Sequence, residues 1–154
     1  MAPARWLDEQ EARLWRAHLG LGRELQRAFE RQLERDAGLT AAEYTVLVPL
    51  SEAPEGLLRM RELGRVAGWD RSRLSHQVRR MEKRGLVVRE ECEEDARGAM
   101  VRLTGRGRAA IEAAAPEHVE TVRRYFFDLL SGPERRTLTT IYERLLERLA
   151  RDAG

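Results

Sequence analysis

The stretch Asp70-Arg71-Ser72-Arg73-Leu74-Ser75-His76-Gln77-Val78-Arg79-Arg80-Met81-Glu82-Lys83-Arg84-Gly85 decides the fold. On a helical wheel at 100° per residue, Leu74, Val78 and Met81 share one narrow face, which has to be the buried one. Opposite them lie Ser72, Arg73, His76, Arg79, Arg80 and Lys83, with Ser75 and Gln77 on the flanks. From Arg71 to Arg84 there are six basic residues against one acid, Glu82. That is too lopsided for a surface helix built on alternating charge pairs, and like charges four apart, such as Arg79 and Lys83, repel. A polyanionic partner would offset the cost. Asp70 is suited to cap the start of the helix and Gly85 to stop it.

Upstream, a short helix is predicted over about Met60 to Ala67, followed by Gly68-Trp69-Asp70. Two short helices joined by a tight glycine-containing turn are the outline of a helix-turn-helix. Downstream, Leu86, Val87 and Val88 precede a charged loop, Glu90 to Gly98, after which Met100, Val101 and Leu103 return. Two β-favouring runs around a polar loop read as a hairpin, which makes the unit a winged helix-turn-helix.

Farther out the pattern is helical. An amphipathic helix is predicted from about Asp8 to Arg35, with Leu14, His18, Leu21, Leu25, Ala28, Phe29 and Leu33 forming a stripe by steps of three and four. Gly38 ends it, and Thr40 with Glu43 forms a capping box for a helix over roughly Ala41 to Ser51. After the wing, Thr104 caps a helix in which Pro116 introduces a kink or a restart, and whose apolar pattern continues to Leu129 and Leu130. Ser131-Gly132-Pro133 breaks the pattern, and a last helix runs from Glu134 to about Arg151, with Leu138, Ile141, Leu145 and Leu149 on one stripe. The apolar stripes of the first and last helices exceed what helices projecting from a small lobe can leave uncovered, and a two-fold interface would bury them. The predicted fold is mainly α with a small β-hairpin wing. A winged helix-turn-helix domain occupies 39–115, and helical dimerisation regions occupy 1–38 and 116–154.

The chain has 154 residues, 28 basic and 26 acidic, for a net charge of +2. The near-neutral total conceals a segregation: Arg59 to Arg108 carries 14 basic and 8 acidic residues, a local +6, and the remainder carries −4. Local charge is what a polyanion feels. No apolar run approaches the ~20 residues of a membrane span. Met1 to Trp15 intersperses Arg5, Asp8, Glu9, Glu11 and Arg13, unlike the apolar core of a signal peptide. The single cysteine, Cys92, excludes an intramolecular disulfide and a multi-cysteine zinc site. The expected protein is soluble and cytoplasmic.

The expected partner is double-stranded DNA, because a duplex major groove admits a helix of this width. Ser72, Arg73, Ser75, His76 and Gln77 stand at the end that would reach base edges, where Arg addresses guanine and Gln addresses adenine, and Arg71 beside them is a further DNA-contact candidate. Arg79, Arg80, Lys83 and Arg84 are placed to meet phosphates. In the wing loop, Arg97 suits the negative potential of a narrow minor groove, and Asp95, two residues earlier, could hold its guanidinium or simply close the turn with it.

Two runs carry a family resemblance. Ser72-Arg73-Leu74-Ser75 with Met81-Glu82-Lys83-Arg84-Gly85-Leu86-Val87 resembles the recognition helix and first wing strand of MarR-family transcription regulators. Asp95-Ala96-Arg97-Gly98 with Val101-Arg102-Leu103-Thr104-Gly105-Arg106-Gly107-Arg108 resembles their wing and its exit into the next helix. The resemblance implies a homodimer with interlocked terminal helices, two lobes reading a pseudo-palindromic site, and a wing-tip role for Arg97. The implied activity is that of a repressor, and a small, often aromatic or anionic, effector is the implied modulator. Trp15, His18, Phe29, Tyr44 and Trp69 are candidates to line the effector pocket and are equally suited to ordinary core or turn packing. The wing departs from the family's usual pattern in its acidity, with Glu90, Glu91, Glu93 and Glu94.

Other chemistries find less support. The histidines His18, His76 and His118 lack a second ligand at helical spacing, so neither a metal nor any other cofactor is expected. No nucleophile motif or phosphate-cradling glycine loop occurs, which speaks against an enzyme. Cys92 could act as a redox sensor, but its acidic neighbours raise a thiol's pKa and favour an incidental thiol. A helical module binding a protein through the basic face is the competing class. Replacing Arg97 with alanine is expected to weaken duplex binding, mostly at the outer A/T-rich edges of a site; affinity measured on duplexes varied at those positions checks it.

Overall fold

The computed structural model describes residues 4–91 and 98–153. In chain order the elements are α1 (Glu9–Ala37), α2 (Ala41–Glu52), β1 (Leu57–Arg59), α3 (Met60–Ala67), α4 (Arg71–Lys83), β2 (Val87–Glu91), β3 (Ala99–Leu103), α5 (Gly105–Tyr125) and α6 (Gly132–Asp152). The chain divides into two compact units, Met1–His118 and Val119–Gly154. No described helix is long and apolar enough to cross a membrane.

Local chemistry fixes the boundaries. Asp8 with Glu11, Thr40 with Glu43 and Ser131 with Glu134 form reciprocal capping boxes at the starts of α1, α2 and α6. Asp70 accepts the Arg73 N–H at 2.9 Å and so starts α4. Gly85 follows α4 at φ +70°, and the Leu86 N–H donates back to the Met81 carbonyl at 3.0 Å.

The first unit has a core drawn from every element of the winged lobe. Val46, Leu47 and Leu50 of α2, Leu63 of α3 and the α4 stripe Leu74, Val78 and Met81 are all buried, joined by Val87 and Val101 from the sheet. The sheet has three antiparallel strands in the order β1-β3-β2, where the sequence pattern predicts a two-stranded hairpin. The added strand is only three residues long, and Leu58 pairs with Val101, 43 positions farther along the chain. So short a run carries no periodicity of its own. Glu90 and Glu91, expected in the wing loop, lie on β2 instead. Glu90 is held by a bidentate contact from Arg102 on the neighbouring strand, which lowers its carboxyl pKa below the usual range.

A tight seam joins the end of α4 to the start of α5. The Thr104 hydroxyl lies 2.6 and 3.0 Å from the Gly85 and Leu86 carbonyls and accepts the Gly107 N–H at 3.0 Å. Gly107 presses so closely on this turn that an added Cβ would stand 2.1 Å from the Leu86 carbonyl oxygen. Pro116 does not interrupt α5, where a kink or restart is the sequence expectation. The bond that its missing N–H forfeits is to Glu112, an exposed residue whose carbonyl water can serve. The helix stops at Tyr125, short of the predicted end, and a 3-10 turn over Phe127–Leu129 leads to α6.

An aromatic and polar cluster ties α1, α2 and α5 together within the first unit. The His118 ring lies 4.9 Å from Phe29 and 4.4 Å from Tyr44, centroid to centroid. Its Nδ1 is 3.0 Å from Oε1 of buried Gln32. Because the Gln32 amide nitrogen donates to Asp36 at 2.9 Å, Oε1 can only accept, so Nδ1 of His118 carries the proton and donates. Burial lowers the His118 pKa from 6.5, so the fold favours the neutral ring.

Two outcomes follow from this packing. Gly107→Ala is expected to destabilise the protein by roughly 2–4 kcal/mol in urea unfolding, since neither the Leu86 backbone nor α5 can shift freely. His118 contributes stability that is complete above pH 6.5 and is lost as pH falls toward its lowered folded value. The urea midpoint should therefore drop more between about pH 7 and pH 5 in the parent protein than in His118→Asn, whose amide can still donate to Gln32.

Candidate nucleic-acid interface

The candidate surface is the outward side of α4 with the elements beside it. With Leu74, Val78 and Met81 turned into the core, Arg71, Ser72, Arg73, His76, Arg79, Arg80 and Lys83 are all exposed, as the wheel predicts. Arg71, Arg79 and Lys83 make no hydrogen bond or ion pair with a described side chain. No acid occupies the first turn of α4, while Arg71 and Arg73 stand at the positive end of its dipole. At this terminus the Asp70 cap supplies the opposing charge, and a phosphate near the helix N-terminus would relieve the clustering further.

Three residues of the segment have other duties. Gln77 is buried, with 4% exposure, and its Oε1 accepts from Arg80 at 2.5 Å. It is therefore not the accessible adenine reader that the wheel suggests, because the flank it occupies packs against the lobe. Arg84 turns away from the basic face: Nη1 bonds buried Glu43 on α2 at 2.5 Å, and Nη2 reaches the Gly38 carbonyl at 2.9 Å. The expected phosphate contact is thus an internal staple between the α4 terminus and the α1–α2 turn. Ser75 is half-buried, and its hydroxyl accepts from Arg89 on β2 at 3.1 Å. Asp95, Arg97 and Cys92 lie outside the described residues.

Four arginines beyond the predicted ones complete the surface. Arg59, Arg61, Arg65 and Arg89, together with Arg71, surround a cleft of about 640 Å³ between α3, α4 and the sheet, lined also by Leu74 and Trp69. Arg61 and Arg65 repeat on α3 the like-charge spacing of four that marks Arg79 and Lys83, so that signal was present in the sequence. Arg59 could not be placed without β1, and Arg89 shows its role only through its bond to Ser75.

The candidates for an effector pocket do not converge. Trp15 and His18 stack on each other at 5.5 Å on the exposed N-terminal part of α1. Phe29 and Tyr44 belong to the cluster around His118. Tyr44 has its phenol pKa raised by burial and then by the nearby Glu52 charge. Trp69 is elsewhere again, in the turn before α4, with the Arg73 guanidinium carbon 4.3 Å above its ring.

Comparison with known proteins identifies the family. The MarR family model matches residues 37–98. Sco3205, a MarR family transcriptional regulator from Streptomyces coelicolor solved in complex with DNA, is 41% identical over 96% of this chain and 92% of its own, with a TM-score of 0.90. AbsC, a MarR family transcriptional regulator from the same organism, is 40% identical over 96% of this chain and 99% of its own, with a TM-score of 0.91. A mutant MarR from E. coli, complexed with operator DNA, is 25% identical over 92% of this chain and 99% of its own, at a TM-score of 0.74. No curated protein matches the sequence. With two relatives of about 40% identity along almost its whole length, the chain belongs to the MarR family, whose members are transcriptional regulators and not enzymes.

Proposed function

We propose that the protein is a homodimeric, sequence-specific DNA-binding repressor. Its α4 enters the major groove, with Arg71, Ser72, Arg73 and His76 toward base edges and Arg79, Arg80 and Lys83 toward phosphates. Arg59, Arg61, Arg65 and Arg89 extend the phosphate contacts beside the helix, and Arg97, oriented by Asp95, enters the adjoining minor groove. The observation that carries the reading is the outward face of α4: a cluster of cations, of which Arg71, Arg79 and Lys83 pair with no described side chain, held on a buried apolar stripe. The DNA complex of the 41% identical Sco3205 supports the same partner.

Dimerisation is assigned to 1–38 and 116–154, and DNA binding to 39–115. Support comes from apolar side chains that each unit leaves uncovered: Leu14 and Trp15 on α1, and Leu145, Leu146 and Leu149 on α6. Exposed apolar surface of this extent marks an interface. Two recognition helices related by a two-fold axis would read half-sites about one helical turn apart. A small effector that changes their spacing would relieve repression by preventing both half-sites from being met at once. A cytoplasmic location goes with this role.

Selection of bound sequences from a random duplex pool tests the proposal. The expected result is an inverted repeat with half-site centres about 34–36 Å apart. Absence of enrichment, with no duplex affinity at low salt, overturns it. On the selected site, Arg73→Ala should cost roughly 1–3 kcal/mol and relax preference at one base pair per half-site. Equal weakening on all sequences would instead mark Arg73 as a phosphate contact.

A further inference from the structure

Trp69 belongs to the turn between α3 and α4, and that turn leaves it little freedom. Gly68 ends α3 at φ +68°, a left-handed conformation that favours glycine, and the Trp69 N–H donates to the Gly64 carbonyl at 3.0 Å. The turn is close enough that a Cβ on Gly64 would come within 3.3 Å of the Trp69 carbonyl oxygen. One part of the Trp69 side chain packs against the core, and another part lines the arginine-ringed cleft beside α4. Arg73, one turn into α4, lies over this ring with Cζ 4.3 Å from the centroid.

Arg73 is thereby fixed at both ends. Its backbone N–H is held by the Asp70 carboxylate, and its guanidinium rests on the indole. Stacking uses only the face of the guanidinium. Its N–H edge makes no hydrogen bond or ion pair with a described residue, so the donors stay available to a planar acceptor pair. A guanine edge offers such a pair in O6 and N7.

We infer that Trp69 is a positioning residue for Arg73: the indole holds the guanidinium before DNA arrives, so that its edge meets a base without the entropy cost of ordering a long side chain. This assigns Trp69 to the DNA-reading surface rather than to an effector pocket, and it rests on the function proposed above. An exposed arginine without such a platform samples many rotamers, and immobilising it on binding costs affinity selectively where it reads a base. The platform therefore governs discrimination at one base pair per half-site, and general affinity hardly at all.

The test compares Trp69→Leu, which keeps apolar packing but removes the π face, with Trp69→Phe, which keeps a smaller face. Each is combined with Arg73→Ala, and affinity is measured on the selected duplex and on the duplex altered at the base pair that Arg73→Ala relaxes. Thermal melting checks the fold of each variant. Trp69→Leu should lower discrimination at that pair by about three- to tenfold, leave affinity for the altered duplex nearly unchanged, and add no further loss in the Arg73→Ala background. Trp69→Phe should retain most of the discrimination. In the DNA-free protein, NMR should show the Arg73 δ protons shifted upfield by the indole, and the shift lost in Trp69→Leu.

Equal weakening of both duplexes, or a loss additive with that of Arg73→Ala, would overturn the inference and leave Trp69 as turn packing. Full discrimination in Trp69→Leu would overturn it as well. If Trp69→Leu does not fold, loss of discrimination in a folded Trp69→Phe to the level of Arg73→Ala, or an unshifted Arg73 δ resonance in the parent protein, decides against it. A parent protein that binds no duplex defeats the function and this inference together, whereas a parent that discriminates while Trp69→Leu does so equally defeats the inference alone.

Discussion

Burial of Leu74, Val78 and Met81 beneath α4 is the interaction on which the rest depends. Each side chain contributes about 1.5–3 kcal/mol on leaving water, and together they fix the rotation of the helix about its axis. Turning α4 by one residue would swing the apolar stripe about 100° and drive charged side chains toward the core. The hydrophobic effect thus decides which residues face outward, although it carries no information about DNA. The seam at Leu86, Thr104 and Gly107 then sets the sheet against the end of that helix, so the wing inherits its position from the same core.

Charge is sorted by whether a partner lies inside the fold. Arg84 and Glu43 satisfy each other across α4 and α2, Arg102 and Glu90 do so across two strands, and Arg80 is drawn toward Gln77. Where an acid is present, the arginine is consumed by the structure. The cations left over gather on α3, on the outer face of α4 and on β2. Their repulsion is tolerated because the underlying stripe and caps hold the helices, and a polyanion is the partner that converts the repulsion into attraction. Internal pairing leaves the local balance of +6 between Arg59 and Arg108 almost intact: Glu90 and Arg102 cancel within the segment, and Arg84 is neutralised from outside it by Glu43.

Much of this was legible in the chain because it is local. Three of the helix starts are written as a residue and its partner three positions on, as at Thr40 and Glu43, and the α4 stripe is a pattern within one helix. What escaped depends on partners far away in sequence. Leu57–Arg59 becomes a strand only because β3 pairs with it, and Arg84 is diverted by an acid 41 residues earlier. Gln77 sits on the flank of the wheel, where a few degrees of packing separate exposure from burial. Pro116 does not break α5, because the exposed carbonyl it leaves can turn to water. Trp69 shares only its residue type with the other aromatics, and its stacking on Arg73 follows from the geometry of the turn.

The most direct measurement of the central claim is the affinity for a single duplex as a function of salt. If the outward cations of α4 and its neighbours meet phosphates, the logarithm of the binding constant falls linearly with the logarithm of salt concentration. A dimer neutralising about six to ten phosphates loses roughly 10³- to 10⁵-fold in affinity between about 50 and 200 mM salt. A flat dependence, or no binding at the lowest salt, would contradict the account.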